Sequence, residues 1–328
     1  MMRFLPASFR PPLVRHLLRP RQREVRIILT LLGLLVCSLA QASSWPRSVH
    51  SDDGVTLQLT APPERILSTS VTLTGILLPI GAPVVASAAD ANGAFFAQWA
   101  EVAHQRGVEN LWPAGSIDLE AIYALQPDLI LVSANGADSA LEQIDELRAI
   151  APTLVLNYGQ RNWQTLTLVL ADVLERREVA DRLLESFDQR LADTRQQLVL
   201  PVGTANIISY NGPGITNPIA MDDGTHARLL ASLGVDIEGA NPHWHAGFDT
   251  PGDFVRTEYE YLTQLKSPTT FLLRRDQDDI APFVDDPILA NLPSIRSGQV
   301  YGLGSNSFRI DYYSALEIIE GMRENFSP

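Results

Sequence analysis

The residues able to do chemistry concentrate in a few loops. In "SNSFRIDYYSALEI", Arg309 follows the strand-like run "QVYGLG" and precedes a helical pattern that opens at Asp311 and places Tyr312, Leu316, Ile319 and Met322 on one face. A guanidinium at a strand's carboxyl end, beside a helix N-terminus, is suited to an anion. An ion pair with Asp311 or another acid is the competing reading. In "NPHWHAGFD", His243 and His245 are two apart with Asp249 behind them. Extended backbone would put both imidazoles on one face, where they and the carboxylate could hold a transition metal. His50, His104 and His226 are scattered, so no third imidazole joins that set by spacing.

Aromatic residues in turn-rich loops have few regular-structure partners and often meet ligands. Trp244, Trp112 in "ENLWPAGS", and the pair Tyr210 and Asn211 at the end of "ANIISY" are such ligand-wall candidates, with packing under a loop as the alternative. Ser68, ending the run "RILS", is a further candidate contact. Trp45, Trp99 and Trp163 read as packing residues. Hydrolytic and nucleotide chemistry have no local signature: "GxSxG" and a phosphate-cradling glycine loop are both absent.

The elements that must position these residues alternate along the chain. Short apolar runs ("RILST", "APVVAS", "DLILVSA" and "TLVLNY", then "ANIISY", "TTFLL" and "QVYGL") are separated by helical periodicity, which predicts parallel sheets covered by helices. They fall into two groups. Between them, 162–198 carries Leu166, Leu170, Val173, Leu174, Leu184, Phe187 and Leu191 at helical spacing without an internal proline. The expectation is two Rossmann-like α/β lobes, 43–161 and 201–328, joined by one long bridging helix over 162–200 that Asn162 caps. An internal echo fits the division: "DLEAIYALQPDLILVSA" and "EYEYLTQLKSPTTFLL" each start a helix with a first-turn glutamate, Glu120 and Glu260. Both glutamates read as ordinary N-terminal helix charges on residue chemistry alone.

Residues 1–42 have the layout of a secretory signal peptide: seven arginines ahead of "IILTLLGLLVCSLA", then Ala40-Gln41-Ala42. The apolar run is shorter than the roughly 20 residues of a membrane span. Cleavage there would leave 18 basic residues against 37 acidic ones. So acidic a chain disfavours nucleic acid and anionic membranes as partners. The single cysteine, Cys37, would be lost with the signal, which leaves no disulfide, thiolate metal site or cysteine nucleophile.

The stretches "ERILSTSVTLTGILLPIGAPVVAS", "QPDLILVSANGADSAL", "IAPTLVLNY" and "QVYGLGSNSFRIDYYSAL" resemble the binding proteins for ferric siderophores, haem and cobalamin that serve ABC importers, and within them the ferric-enterobactin binders. That resemblance implies two α/β lobes with a ligand cleft between them, a monomer in the periplasm, and carriage rather than catalysis. It implies a ferric catecholate siderophore as ligand, the iron held by the siderophore's own oxygens with no intrinsic cofactor, and an inner-membrane permease as partner. It further implies that Arg309 faces the ligand's negative charge and that Glu120 and Glu260 dock onto the permease. The second cleft arginine of the enterobactin binders has no counterpart in "SAADANGAFF", which carries no basic residue. Haem, cobalamin or another siderophore class is the alternative cargo, and a periplasmic siderophore-processing enzyme the alternative activity.

Overall fold

The computed structural model describes residues 45–247 and 252–328; the signal segment and Asp249 lie outside the described residues. The chain opens with an antiparallel hairpin, β1 (Arg47–His50) and β2 (Thr56–Leu59), turned at Gly54. Its turn is tied down by Asp52, which pairs with Arg161 and accepts the Asn157 amide, and by Asp53, which pairs with Arg148. Five parallel strands follow: β3 (Ile66–Ser68), β4 (Val84–Ser87), β5 (Glu109–Asn110), β6 (Leu129–Ser133) and β7 (Thr153–Leu156), in the order β5-β4-β3-β6-β7. Every residue of β3, β6 and β7 is buried, which is why these strands read as unbroken apolar runs. The order reverses at β3, so the loops after β3, β6 and β7 meet at the sheet's carboxyl edge, where open α/β sheets bind ligands.

The second sheet contains β8 (Thr204–Ile208), β9 (Asn217–Ala220), β10 (Asp236–Ile237), β11 (Phe254–Thr257), β12 (Thr269–Leu272) and β13 (Val300–Gly302). Its order is β11-β9-β8-β12-β13, with β10 on β8. Strands β8, β10, β12 and β13 are parallel, as expected, but β9 returns antiparallel to β8 and β11 antiparallel to β9. The loop between β8 and β9 is short enough for this return, and the buried Asn217 side chain closes it by accepting the Asn211 and Gly212 amides and donating to the Gly212 and Ile215 carbonyls.

Helices cover the sheets: α1 (Val71–Leu77), α2 (Ala97–Gln105), α3 (Leu119–Leu125), α4 (Ile144–Ile150), α5 (Trp163–Val173), α6 (Arg177–Arg195), α7 (Thr225–Ser232), α8 (Ala281–Val284), α9 (Pro293–Ser297) and α10 (Tyr312–Phe326). The expected single bridge over 162–200 is not one helix. Asn162 does cap α5, accepting the Thr165 amide, but the helix stops at Leu174. Glu175 turns left-handed at φ 54°, and the Arg176 amide reaches back to the Ala171 carbonyl at 2.7 Å, closing a Schellman-type end. The Trp163 and Phe187 rings then meet edge to face at 4.9 Å, whereas 24 residues of straight helix would part them by about 36 Å. Helices α5 and α6 are therefore an antiparallel hairpin; α5 packs on α1 in the first lobe, and only α6 carries the chain across to α7 in the second. No glycine or proline marks the break, so sequence periodicity ran straight through it.

The C-terminal helix makes a second crossing. It starts against the first lobe, with Tyr312 near the Trp163 ring (5.9 Å), and ends in the second, with Phe326 on Tyr301 (4.6 Å). One apolar core runs through both lobes and both crossings, from Leu73, Trp99 and Leu131 to Phe187, Phe271 and Met322. At the first-lobe contact, buried Asp311 caps α10 by accepting the Tyr313 and Ser314 amides and also accepts from Gln98 Nε2 at 3.2 Å. Gly75 makes this approach feasible: a Cβ there would stand 2.7 Å from Asp311 Oδ2.

Burial raises the Asp311 carboxyl from 3.8 to about 6, against the opposing pull of its hydrogen bonds from Ser314, Gln98 and Tyr313. A carboxyl that binds its proton more tightly when folded stabilises the protein fully below the unfolded value, and that contribution is lost as pH rises through the folded one. Asp311→Asn keeps the cap acceptor and cannot ionise. Its stability relative to wild type should therefore rise by about 2 kcal/mol between pH 4 and pH 6 in chemical denaturation. A difference that stays flat across that range would show that Asp311 does not titrate as its burial requires.

Candidate functional site

Strands β12 and β13 end side by side, and the segments that follow them are laced together. The Leu303 amide donates to the Leu272 carbonyl, the Gly304 amide to Arg275, and the Arg274 amide to Ser307 Oγ at 3.0 Å. Ser307 Oγ donates in turn to the Gly304 carbonyl, and the Ser307 carbonyl accepts from Nε2 of buried His226 at 2.8 Å. Burial holds the His226 imidazole down at about 4, so at neutral pH it is an uncharged strut beneath this loop. From the laced segments project two guanidinium groups, Arg274 and Arg309.

Neither guanidinium is neutralised by a carboxylate among the described residues. Arg274, left-handed at φ 58°, lays its guanidinium over the Phe308 ring at 3.8 Å, and Phe308 stacks on Phe254 at 5.6 Å. Arg309 lies over the Tyr158 ring at 5.4 Å. Burial, and then the positive charge of Arg309, lower Arg274 from its ordinary value, which places the two cations in one electrostatic neighbourhood. The next residue behaves differently: Arg275 pairs with Asp279 at 2.8 Å. Both arginines lie in the run "LLRRDQDD", with Arg274 at the left-handed position. Arg274 is a candidate site residue that sequence reasoning missed; its one signal was a basic residue at a buried strand's carboxyl end.

Tyr158 belongs to the first lobe, just after β7, so the Arg309 contact spans from one lobe to the other. Its hydroxyl donates to Asp138 Oδ1 at 3.0 Å. Burial, and then the charge of Asp138, push the hydroxyl above its ordinary value, with Arg309 opposing, so it remains a donor at neutral pH. Asp138 is itself buried, and its Oδ2 accepts from Ser70 Oγ at 2.5 Å and from the Thr72 amide at 3.4 Å.

The other expected contacts separate. Ser68 is fully buried and donates to the Ser70 carbonyl, and Trp112 is buried in the first lobe's core with Ile122 and Ile130. Neither side chain is open to solvent: Ser68 ends the buried strand β3, and Trp112 packs among core residues just past β5. Tyr210 is buried too, donating to Asp286 Oδ2 at 2.6 Å, an acceptor it shares with Tyr259. Asn211 is exposed but spends its side-chain amide on the Thr216 carbonyl. Trp244 is half-buried and stacks on Tyr261 at 5.4 Å, immediately beside Glu260. Glu120 and Glu260 are exposed in the first turns of α3 and of the 3₁₀ segment Tyr259–Gln264. His245 Nδ1 accepts the Arg256 amide, and among the described residues no group of three His, Cys, Asp or Glu is placed to hold a metal. No described helix is long and apolar enough to cross a membrane.

A family model for periplasmic binding proteins matches residues 67–307. The chain is 37% identical to the ferric enterobactin-binding periplasmic protein FepB of Escherichia coli O6:H1, over 92% of this chain and 98% of the relative. Among solved structures it is similar to holo-ViuP, with 49% identity, a TM-score of 0.84, and coverage of 87% of this chain and 97% of that one. Staphylococcus aureus SirA complexed with staphyloferrin B shares the fold, with a TM-score of 0.67 at 17% identity, covering 86% of this chain and 99% of that one.

Gly136 tests how tightly the Tyr158 seat is built. Its φ is +89°, and a Cβ there would overlap the Tyr158 hydroxyl oxygen. Gly136→Ala should destabilise the fold by about 1–3 kcal/mol through backbone strain and the displaced ring. An unchanged melting temperature would show that the seat yields freely.

Proposed function

The chain belongs to the periplasmic binding protein family, and from that premise we propose that it captures a ferric siderophore of the catecholate class in the periplasm and delivers it to an inner-membrane ABC permease. The observation that carries this reading is the pair Arg274 and Arg309, two cations left un-neutralised by any described carboxylate in a chain of formal net charge −13. A ferric tris-catecholate bears three negative charges, and its own oxygens complete the iron's coordination. What such a cargo requires of a protein is fixed positive charge and aromatic surface, not metal ligands. One charge pair at 4 Å contributes about 4 kcal/mol at the effective dielectric of a protein surface, so two arginines suffice to select an anion over a neutral complex.

The second cation missing from "SAADANGAFF" is thus supplied from the other lobe by Arg274. Exposed Glu120 and Glu260, one at the start of a helical turn on each lobe, support the reading that they meet basic residues of the permease. Two helical crossings and a continuous core resist hinge motion, so capture would proceed with limited closure of the lobes.

Tryptophan fluorescence should report binding of ferric enterobactin with a Kd below about 1 μM. Arg309→Ala and Arg274→Ala should each weaken it roughly 10- to 100-fold, since a charge-assisted contact contributes about 1.5–3 kcal/mol. Neutral ferrichrome, at whatever affinity it shows, should be nearly indifferent to either change. Equal losses for both ligands would remove the charge argument, and no binding of any ferric catecholate would remove the proposal.

A further inference from the structure

A guanidinium can be held in place by a carboxylate, which cancels much of its charge, or by an aromatic face, which does not. Arg309 is held by the second device, and the ring beneath it is fixed with unusual care. The Tyr158 hydroxyl is seated against Gly136, where no side chain fits, and donates to Asp138. Asp138 is fixed by Ser70 Oγ and by the Thr72 amide. Its negative charge thus stands one residue behind the ring, engaged by three donors, instead of against the guanidinium.

We infer that Tyr158 and Asp138 are positioning residues of the anion site: the first lobe presents the Tyr158 ring as a shelf that orients Arg309 of the second lobe toward the ligand while leaving its charge free. This rests on the anionic-siderophore reading and extends it, because it makes the first lobe part of the charge recognition without contributing a cation. It also explains why the Tyr158 seat draws on the loops after β3, β6 and β7 together: Ser70, Gly136, Asp138 and Tyr158 all come from them. An isolated packing tyrosine needs none of that convergence.

The test is a double-mutant cycle on the purified protein with ferric enterobactin as the probe and ferrichrome as the neutral control. Tyr158→Leu should weaken ferric enterobactin binding about 3- to 30-fold, the range of a cation–π contact from exposed to desolvated. Tyr158→Phe and Asp138→Asn, which keep the ring and the seat's shape, should weaken it less. In the Arg309→Ala background all three should cost almost nothing further, and the salt dependence of binding should drop alike in Tyr158→Leu and Arg309→Ala. Should the leucine variant fail to fold, the phenylalanine and asparagine variants complete the cycle. Losses that simply add to that of Arg309→Ala, or that are equal for ferrichrome, overturn the shelf while leaving the carrier reading intact. A wild-type protein that binds no ferric siderophore overturns both.

Discussion

The structure turns on a single constraint: positive charge must be held in place without being cancelled. In this acidic chain several arginines meet a carboxylate, as Arg148, Arg161, Arg177 and Arg275 do, and others, such as Arg65 and Arg106, bond backbone carbonyls. Arg274 and Arg309 instead each lie on an aromatic ring. The rings are in turn braced by the fold, Phe308 by Phe254 and Tyr158 by Asp138. Desolvation makes such charges more potent toward an anion, and it also makes them costly, which is visible in the lowered proton affinity of Arg274. A site of this kind stores electrostatic strain that an anionic ligand relieves.

Keeping two cations apart from their counter-ions requires a rigid frame. The lacing of the β12 and β13 ends through Ser307 and His226 fixes the second-lobe half, and the convergence of three first-lobe loops fixes the other. Alignment of the halves depends on α6 and α10, which cross between lobes through one shared core. Where α10 begins, the buried Asp311 cap and the bare Gly75 surface let it lie tight against the first lobe. A flexible two-strand hinge would let the Tyr158 ring and Arg309 drift apart.

Much of this was legible in order along the chain. All seven apolar runs named from the sequence became strands, because strands covered by helices are largely buried, the edge strands β7 and β13 included. The Asn162 and Asp311 caps, and the placement of Arg309 between β13 and α10, followed from local chemistry. The strands that went unread include β5 and β10, of two residues each, and β9 and β11, which return antiparallel beside β8; the hairpin of β1 and β2 went unread as well.

By itself, then, the sequence determined the two-lobed α/β class, the order of the main strands and the place of Arg309 between a strand end and a helix start, because burial and capping are written in local pattern. Only the tertiary structure decided that the bridge is α6 alone, folded back on α5, since a left-handed glutamate leaves no compositional mark. It alone buried Ser68 and Trp112 and turned Trp244 toward Tyr261, because loop aromatics choose partners by proximity rather than by spacing. And it alone set Arg274 near Arg309, 35 positions on, and Tyr158 beneath Arg309, 151 positions back in the chain: β12 and β13 pair side by side, and the first-lobe loop after β7 packs against the turn after β13.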